Sequence, residues 1–165
     1  MFKNILGQIG ALWRQIERAG AEDRVVLAVT TFSSVQMELR IFSIQEGWRI
    51  LFAKSLEAAL MLSKIHKVTI VIYDLDLPDV EWRRGLRSFA NGYPVFFILL
   101  SPVVDLRLWK AVLDNGGYDV VRTPVQRESL VPLVNGAFSL ASCIDSAGEL
   151  LRQSSIEGSR RACDH

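Results

Sequence analysis

Five short apolar runs, separated by segments of helical periodicity, constrain this chain more than any other feature of its sequence. Val25 to Val29 is unbroken and valine-rich, as a strand buried on both faces requires. Val68 to Tyr73 and Val95 to Leu100 repeat that pattern, and Arg49 to Ala53 and Asp119 to Arg122 supply two more strands. Between them, Ser33 or Ser34 can cap a helix that reaches Glu46 and stops at Gly47. Ser55 can cap a second helix from Leu56 to Lys64, Glu81 to Ala90 ends at Asn91-Gly92, and Asp105 to Asn115 ends at Gly116-Gly117. A last helix begins near Glu128 and reaches Arg152, with Pro132 tolerated because it falls near the first turn. Alternating strands and helices need right-handed crossovers, so the expected product is an α/β domain with a parallel sheet covered on both faces.

A chain of 165 residues suffices for one such domain. The chain is expected to comprise an amphipathic N-terminal helix over residues 1–20, the α/β domain over 24–152 with an elongated last helix, and a polar, flexible tail over 153–165. A net charge of +1 offers no bulk attraction to nucleic acid or an anionic membrane, and neither partner is expected. The longest strongly apolar run, Val95 to Leu100, has a strand's length rather than a membrane span's. The only cysteines, Cys143 and Cys163, lack metal-ligand spacing, and their scarcity suits a reducing cytoplasm.

Both termini carry apolar seams. Phe2, Ile5, Ile9, Leu12 and Ile16 alternate spacings of three and four, as do Leu133, Ala137, Leu140, Ile144, Ala147 and Leu151. The two seams should leave the domain on the same side and pack together, within one chain or as a homodimeric bundle. A further stripe, Leu106, Trp109 and Leu113, lies beside the core-facing Leu108, Ala111 and Val112. One helix with two apolar stripes implies a covered outer surface, met by a protein partner or by the chain's own extra helix.

In a doubly wound sheet, chemistry collects where strands end. Thr30-Thr31 follow the first strand, Asp74-Leu75-Asp76-Leu77-Pro78 the third, Ser101 the fourth and Thr123-Pro124 the fifth. Over roughly Arg24 to Leu140 this ordered set resembles the response-regulator receiver (CheY-like) family. The resemblance implies a flavodoxin-like sheet of order 2-1-3-4-5, with the N-terminal helix and the extended last helix as additions. It makes Asp74 the phosphoacceptor candidate and Ser101 the switch-hydroxyl candidate. Pro124 becomes a candidate cis-proline, as in the family's Lys-Pro pair.

The departures from the family pattern are chemical. Thr30 and Thr31 stand where the family places the acidic pair that holds Mg2+, and Thr123 stands where it has lysine. Val120 occupies the aromatic switch position, and Trp82 stands where many members have glycine. A carboxylate attacking a phosphoryl group is anion meeting anion, and the missing cation and lysine normally neutralise that repulsion. The expectation is therefore a degenerate receiver, or pseudo-receiver, that needs no metal or other cofactor and signals through protein contacts. One alternative is a working single-domain response regulator, phosphorylated on Asp74 by a histidine kinase and using Mg2+. Another is a small-ligand domain using Thr30, Thr31, Ser101 and Thr123 as hydroxyl donors. No Cys-His or Ser-His-Asp constellation and no glycine-rich phosphate loop is present, so an enzyme is not expected.

Overall fold

The computed structural model describes residues 24–161 apart from 79 and 93, and the side chains of 150, 151 and 153–161 are not described. The expected N-terminal helix, with Ile5, Ile9, Leu12 and Ile16, lies outside the described residues, as does the Leu151 side chain.

The five strands are β1 (Val25–Val29), β2 (Arg49–Ala53), β3 (Ile70–Asp74), β4 (Phe96–Ser101) and β5 (Asp119–Arg122). They form one parallel sheet in the order β2-β1-β3-β4-β5. Five helices connect and cover it: α1 (Ser33–Glu46), α2 (Leu56–Ile65), α3 (Trp82–Ala90), α4 (Leu106–Asp114) and α5 (Arg127–Arg161). Because β1 and β3 are nearly all apolar, both of their faces can be buried. Val26, Ala28, Ile70 and Ile72 join Val35 and Leu39 of α1 and Leu130, Val134 and Phe138 of α5. Leu27, Val29, Val71 and Tyr73 face Leu56 and Ala59 of α2, Leu86 and Phe89 of α3, and Val112 of α4.

Local chemistry sets the helix ends. The Ser55 side chain accepts from the Ala58 amide, and Asp105 does the same for Leu108. Gly47 closes α1 at φ +71°, where a Cβ would be strained. At the start of α1 the expected serine cap is not found. The N-cap is Phe32, with no side-chain cap bond, and both serines lie inside the helix. The Phe32 amide instead donates to Thr30 Oγ1 at 3.2 Å.

The last helix exceeds the sequence reading, continuing past Arg152 to Arg161. Its stretch Arg127–Glu149 is long and apolar enough to cross a membrane by length and composition alone. That corrects the estimate from continuous apolar runs, because interspersed small and polar residues hid the helix's total. Leu130, Val131, Val134, Ala137 and Phe138 of this stretch are buried against the sheet and its neighbouring helix.

At the strands' amino end, a polar cluster ties four elements together. Asn135 Oδ1 accepts from Arg24 Nη2 at 2.7 Å and from Trp48 Nε1 at 3.2 Å. Asn135 Nδ2 donates to Glu46 Oε2 at 3.3 Å, while Glu46 Oε1 pairs with Arg127. The Arg24 guanidinium also stacks on the Phe138 ring, 4.8 Å from its centroid.

Candidate functional site

Parallel pairing brings the strand-end residues into one place. Asp74 is opposite Leu100 in the β3–β4 register, one step short of Ser101, and Ser101 is opposite Arg122. Thr30 follows directly on β1, with its amide donating to Ala53 O at 3.0 Å. Asp74, at 3% exposure, is a buried carboxylate and needs donors. Thr30 Oγ1 donates to its Oδ2 at 2.7 Å, and the Asp76 amide donates to its Oδ1 at 3.1 Å. Both carboxylate oxygens therefore have a donor from the chain itself. Thr30 is in turn fixed by its neighbours, since its hydroxyl accepts from the Phe32 amide and its carbonyl accepts from Gln36 Nε2 at 3.0 Å.

Of the other expected site residues, Thr123 and Pro124 reach the cleft beside Asp74 and the rest do not engage it. Ser101 is buried, but its hydroxyl donates to Val103 O at 2.6 Å and accepts from the Val103 amide at 3.2 Å, an engagement within its own loop. Thr31 is exposed. Thr123 and Pro124 line the cleft beside Asp74, and the bond between them is cis. Arg122 is exposed and lines a different groove, with Ser129, Pro132 and Leu133, on the β5–α5 side. Val120 is buried in the core, and Trp82 is buried at the start of α3 with Arg83 stacked over its ring at 4.5 Å.

The cleft itself is about 260 Å³, lined by Phe32, Ser34, Val35, Glu38, Asp74, Asp76, Thr123 and Pro124. Its described lining carries three acids and no lysine or arginine. Glu38 was not anticipated. Its Oε2 accepts from the Val125 amide at 3.1 Å, tying α1 to the loop after β5. No sequence pattern marks that bond, because it joins positions far apart in the chain. Among the described residues, no three His, Cys, Asp or Glu side chains group closely enough to share a metal ion.

Behind Asp74, Tyr73 occupies the opposite face of β3, stacked on Phe97 at 5.4 Å between centroids. Its hydroxyl is buried without a hydrogen-bond partner. Burial, reinforced by Glu57 and opposed by Arg84, pushes the phenol up to about 12. Gly85 makes room for the ring, since a Cβ there would meet Tyr73 Cε2 and Cζ at 2.9 Å.

Strand order, helix placement and the carboxylate at the end of β3 can be compared with known proteins. The signal receiver domain of a LuxO repressor protein from Vibrio parahaemolyticus superposes with a TM-score of 0.70 at 21% identity, covering 75% of this chain and 96% of that one. The chain has the CheY-like receiver fold. A response-regulator receiver domain protein from Clostridium thermocellum shares this receiver fold at TM-score 0.66 and 20% identity, over 73% of this chain and 98% of its own. The beryllofluoride-activated NtrC4 receiver domain, solved as a dimer, matches at 0.66 and 20%, over 70% of this chain and 97% of that chain. By sequence, the chain is 32% identical over 113 residues to the probable transcriptional regulatory protein TcrX of Mycobacterium tuberculosis. That match spans 67% of this chain but 44% of TcrX. It is also 35% identical over 65 residues to the probable transcriptional regulatory protein y4xI of Sinorhizobium fredii, 38% of this chain and 28% of that protein. No protein-family model matches the chain.

Exposed apolar residues line up on α4 and on α1. On α4, Leu106 is 74% exposed and Trp109 41%, while Leu113 is half-buried. The Trp109 indole is pinned by its Nε1–H to Asp119 Oδ1 at 3.0 Å. On α1, Met37, Ile41 and Ile44 are exposed, on the side away from buried Val35 and Leu39. The sequence reading missed this α1 stripe, although the spacings of four and three that mark it are plain in the sequence.

Proposed function

We propose that this chain is a pseudo-receiver of the response-regulator family, a cytoplasmic signalling module that acts through protein contacts without phosphorylation. The observation that carries this reading is the Thr30–Asp74 hydrogen bond. A threonine stands in the position of a metal-holding acid and donates its proton to the carboxylate that would attack phosphorus. Such a donor occupies a lone pair of the nucleophile and contributes no charge for a cation. The donor set does not fit Mg2+ as receivers hold it. Asp74 is engaged by Thr30 and the Asp76 amide, Glu38 is engaged by Val125, and no base is among the described residues that line the cleft to steady a transferring phosphoryl group. Ser101, the candidate switch hydroxyl, is held within its own loop, which supports the same reading.

The stripes on α4 and α1 supply the contact surfaces. A groove on the β5–α5 side, lined by Val104, Val121, Pro132 and Leu133 among others, adds further apolar surface. A signalling protein, a histidine kinase among the candidates, would meet these surfaces, and a homodimer would use the same faces.

One observation favours the alternative of phosphorylation on Asp74, namely the open cleft that adjoins the carboxylate. The small-ligand reading has less support, because Thr30 and Ser101 already engage their hydroxyls inside the chain. Amide NMR separates the first two readings. Millimolar Mg2+ followed by beryllofluoride leaves Asp74, Thr30 and Ser101 unmoved in a pseudo-receiver. A two-step shift of those amides would overturn the proposal. The variant Thr30→Asp/Thr31→Asp/Thr123→Lys serves as the positive control and is expected to gain the Mg2+ response.

A further inference from the structure

The apolar stripe of α5 does not stop where the sheet stops. Leu133 packs against the core and Ala137 is fully buried. On the same side of the helix, one and two turns later, Leu140 is 48% and Ile144 60% exposed, and Ala147 is exposed as well. A helix projecting from a domain with an apolar seam and no cover is marginal in water. Two contacts fix where the seam runs. Asp145 pairs with Lys67, which precedes β3, at 3.3 Å, so the projecting part passes the amino end of the sheet. Arg24, which precedes β1, is bonded to Asn135 and stacked on Phe138, just before Leu140. The chain therefore enters the described domain at Arg24, beside α5 where the exposed seam begins.

We propose that the exposed seam of α5 is the docking surface for residues 2–19 of the same chain, laid antiparallel alongside it. The proposal is independent of the state of Asp74. The segment carries its own seam of Ile5, Ile9, Leu12 and Ile16. From Ile5 to Ile16 and from Leu140 to Leu151 the two seams have equal length, about 16 Å as helices. Antiparallel pairing aligns them layer by layer: Ile16 with Leu140, Leu12 with Ile144, Ile9 with Ala147 and Ile5 with Leu151. Beside these layers, the bulky Trp13 and Leu6 stand opposite the small Ala141 and Gly148. That alternation of large against small lets two helices approach closely. The link Gly20 to Asp23 is only four residues long, so the segment's end is held near Arg24 and therefore near α5. A segment tethered this closely has an effective concentration in the millimolar range, which a second copy at ordinary concentrations does not match.

Cysteine pairs in the full chain test this, in a Cys143→Ser/Cys163→Ser background. Oxidation of Leu12→Cys/Ile144→Cys should give a disulfide within one chain, seen as a monomer on a non-reducing denaturing gel and lighter by two hydrogens. Ile5→Cys/Ile144→Cys, two layers out of register, should not close. Disulfide dimers from Ile144→Cys alone, in greater yield than the internal bond, would assign the seam to a second copy and overturn the proposal. Absence of any internal bond would overturn it too. As a readout without cysteines, Ile9→Asp/Leu12→Asp should raise amide exchange over Leu140 to Ala147 by at least about tenfold, leaving the strands protected. Unchanged exchange there would also count against it.

Discussion

The two ends of the sheet are finished in opposite ways. At the carboxyl end, polar groups answer one another: Thr30 and the Asp76 amide serve Asp74, Ser101 serves its own loop, and Glu38 holds Val125. At the amino end, Asn135 gathers Arg24, Trp48 and Glu46, yet just beyond it α5 leaves the domain with Leu140 and Ile144 uncovered. The difference teaches where binding capacity resides in such a fold. At the carboxyl end, hydroxyl and amide donors from the chain itself keep the buried carboxylate from being unpaired. At the amino end, apolar surface that the core does not use is left exposed.

The sharpest way to break this contrast is at the carboxyl end. Thr30→Val should cost about 2–3 kcal/mol in chemical denaturation, because it strips a donor from a buried carboxylate. If stability is unchanged, the bond does not hold the site. Asn135→Ala comes next, at about 1–2 kcal/mol, since it removes one hydrogen bond each from Arg24, Trp48 and Glu46. Its chemical-shift changes should stay at the amino end; changes at Asp74 would show that the two ends are coupled.

Tyr73→Phe should be near neutral at pH 7, within about 0.5 kcal/mol, because the hydroxyl it removes has no partner. Its effect should emerge in alkali. The buried phenol is pushed up to about 12 from an ordinary value of 10.0, so the folded chain keeps a proton that the unfolded chain releases. Stability is therefore intact below pH 10 and falls between pH 10 and about 12, and the Phe variant should flatten that fall. An identical alkaline slope in both proteins would refute the assignment. The smallest effect belongs to Lys67→Ala, below about 0.5 kcal/mol, because its bridge to Asp145 is largely exposed.

Much of the fold was legible in the sequence for a specific reason. Strands buried on both faces must be continuously apolar, so Val25–Val29 and Val95–Leu100 announced themselves, and glycine and capping residues marked helix ends such as Gly47 and Ser55. Phe32 as N-cap was not legible, because a tertiary bond from its amide to Thr30 replaced the local serine cap. The strand-end positions of Asp74, Thr30 and Thr123 follow from topology and could be read. Glu38, Asn135 and the fit of Gly85 to the Tyr73 ring depend on side chains meeting across long separations in sequence, which no periodicity records.

Asn135 bonds the indole of Trp48, and that detail gives the molecule its own optical instrumentation. The three described indoles sit in three distinct environments. Trp48 is buried at the amino end, Trp82 is buried under Arg83 where α3 begins, and Trp109 is partly exposed on α4 with its N–H held by Asp119. With single-tryptophan variants, emission can be followed separately from each. A partner that covers α4 would shift the colour of Trp109 and leave Trp48 dark to the event, and closure around the α5 seam would do the reverse.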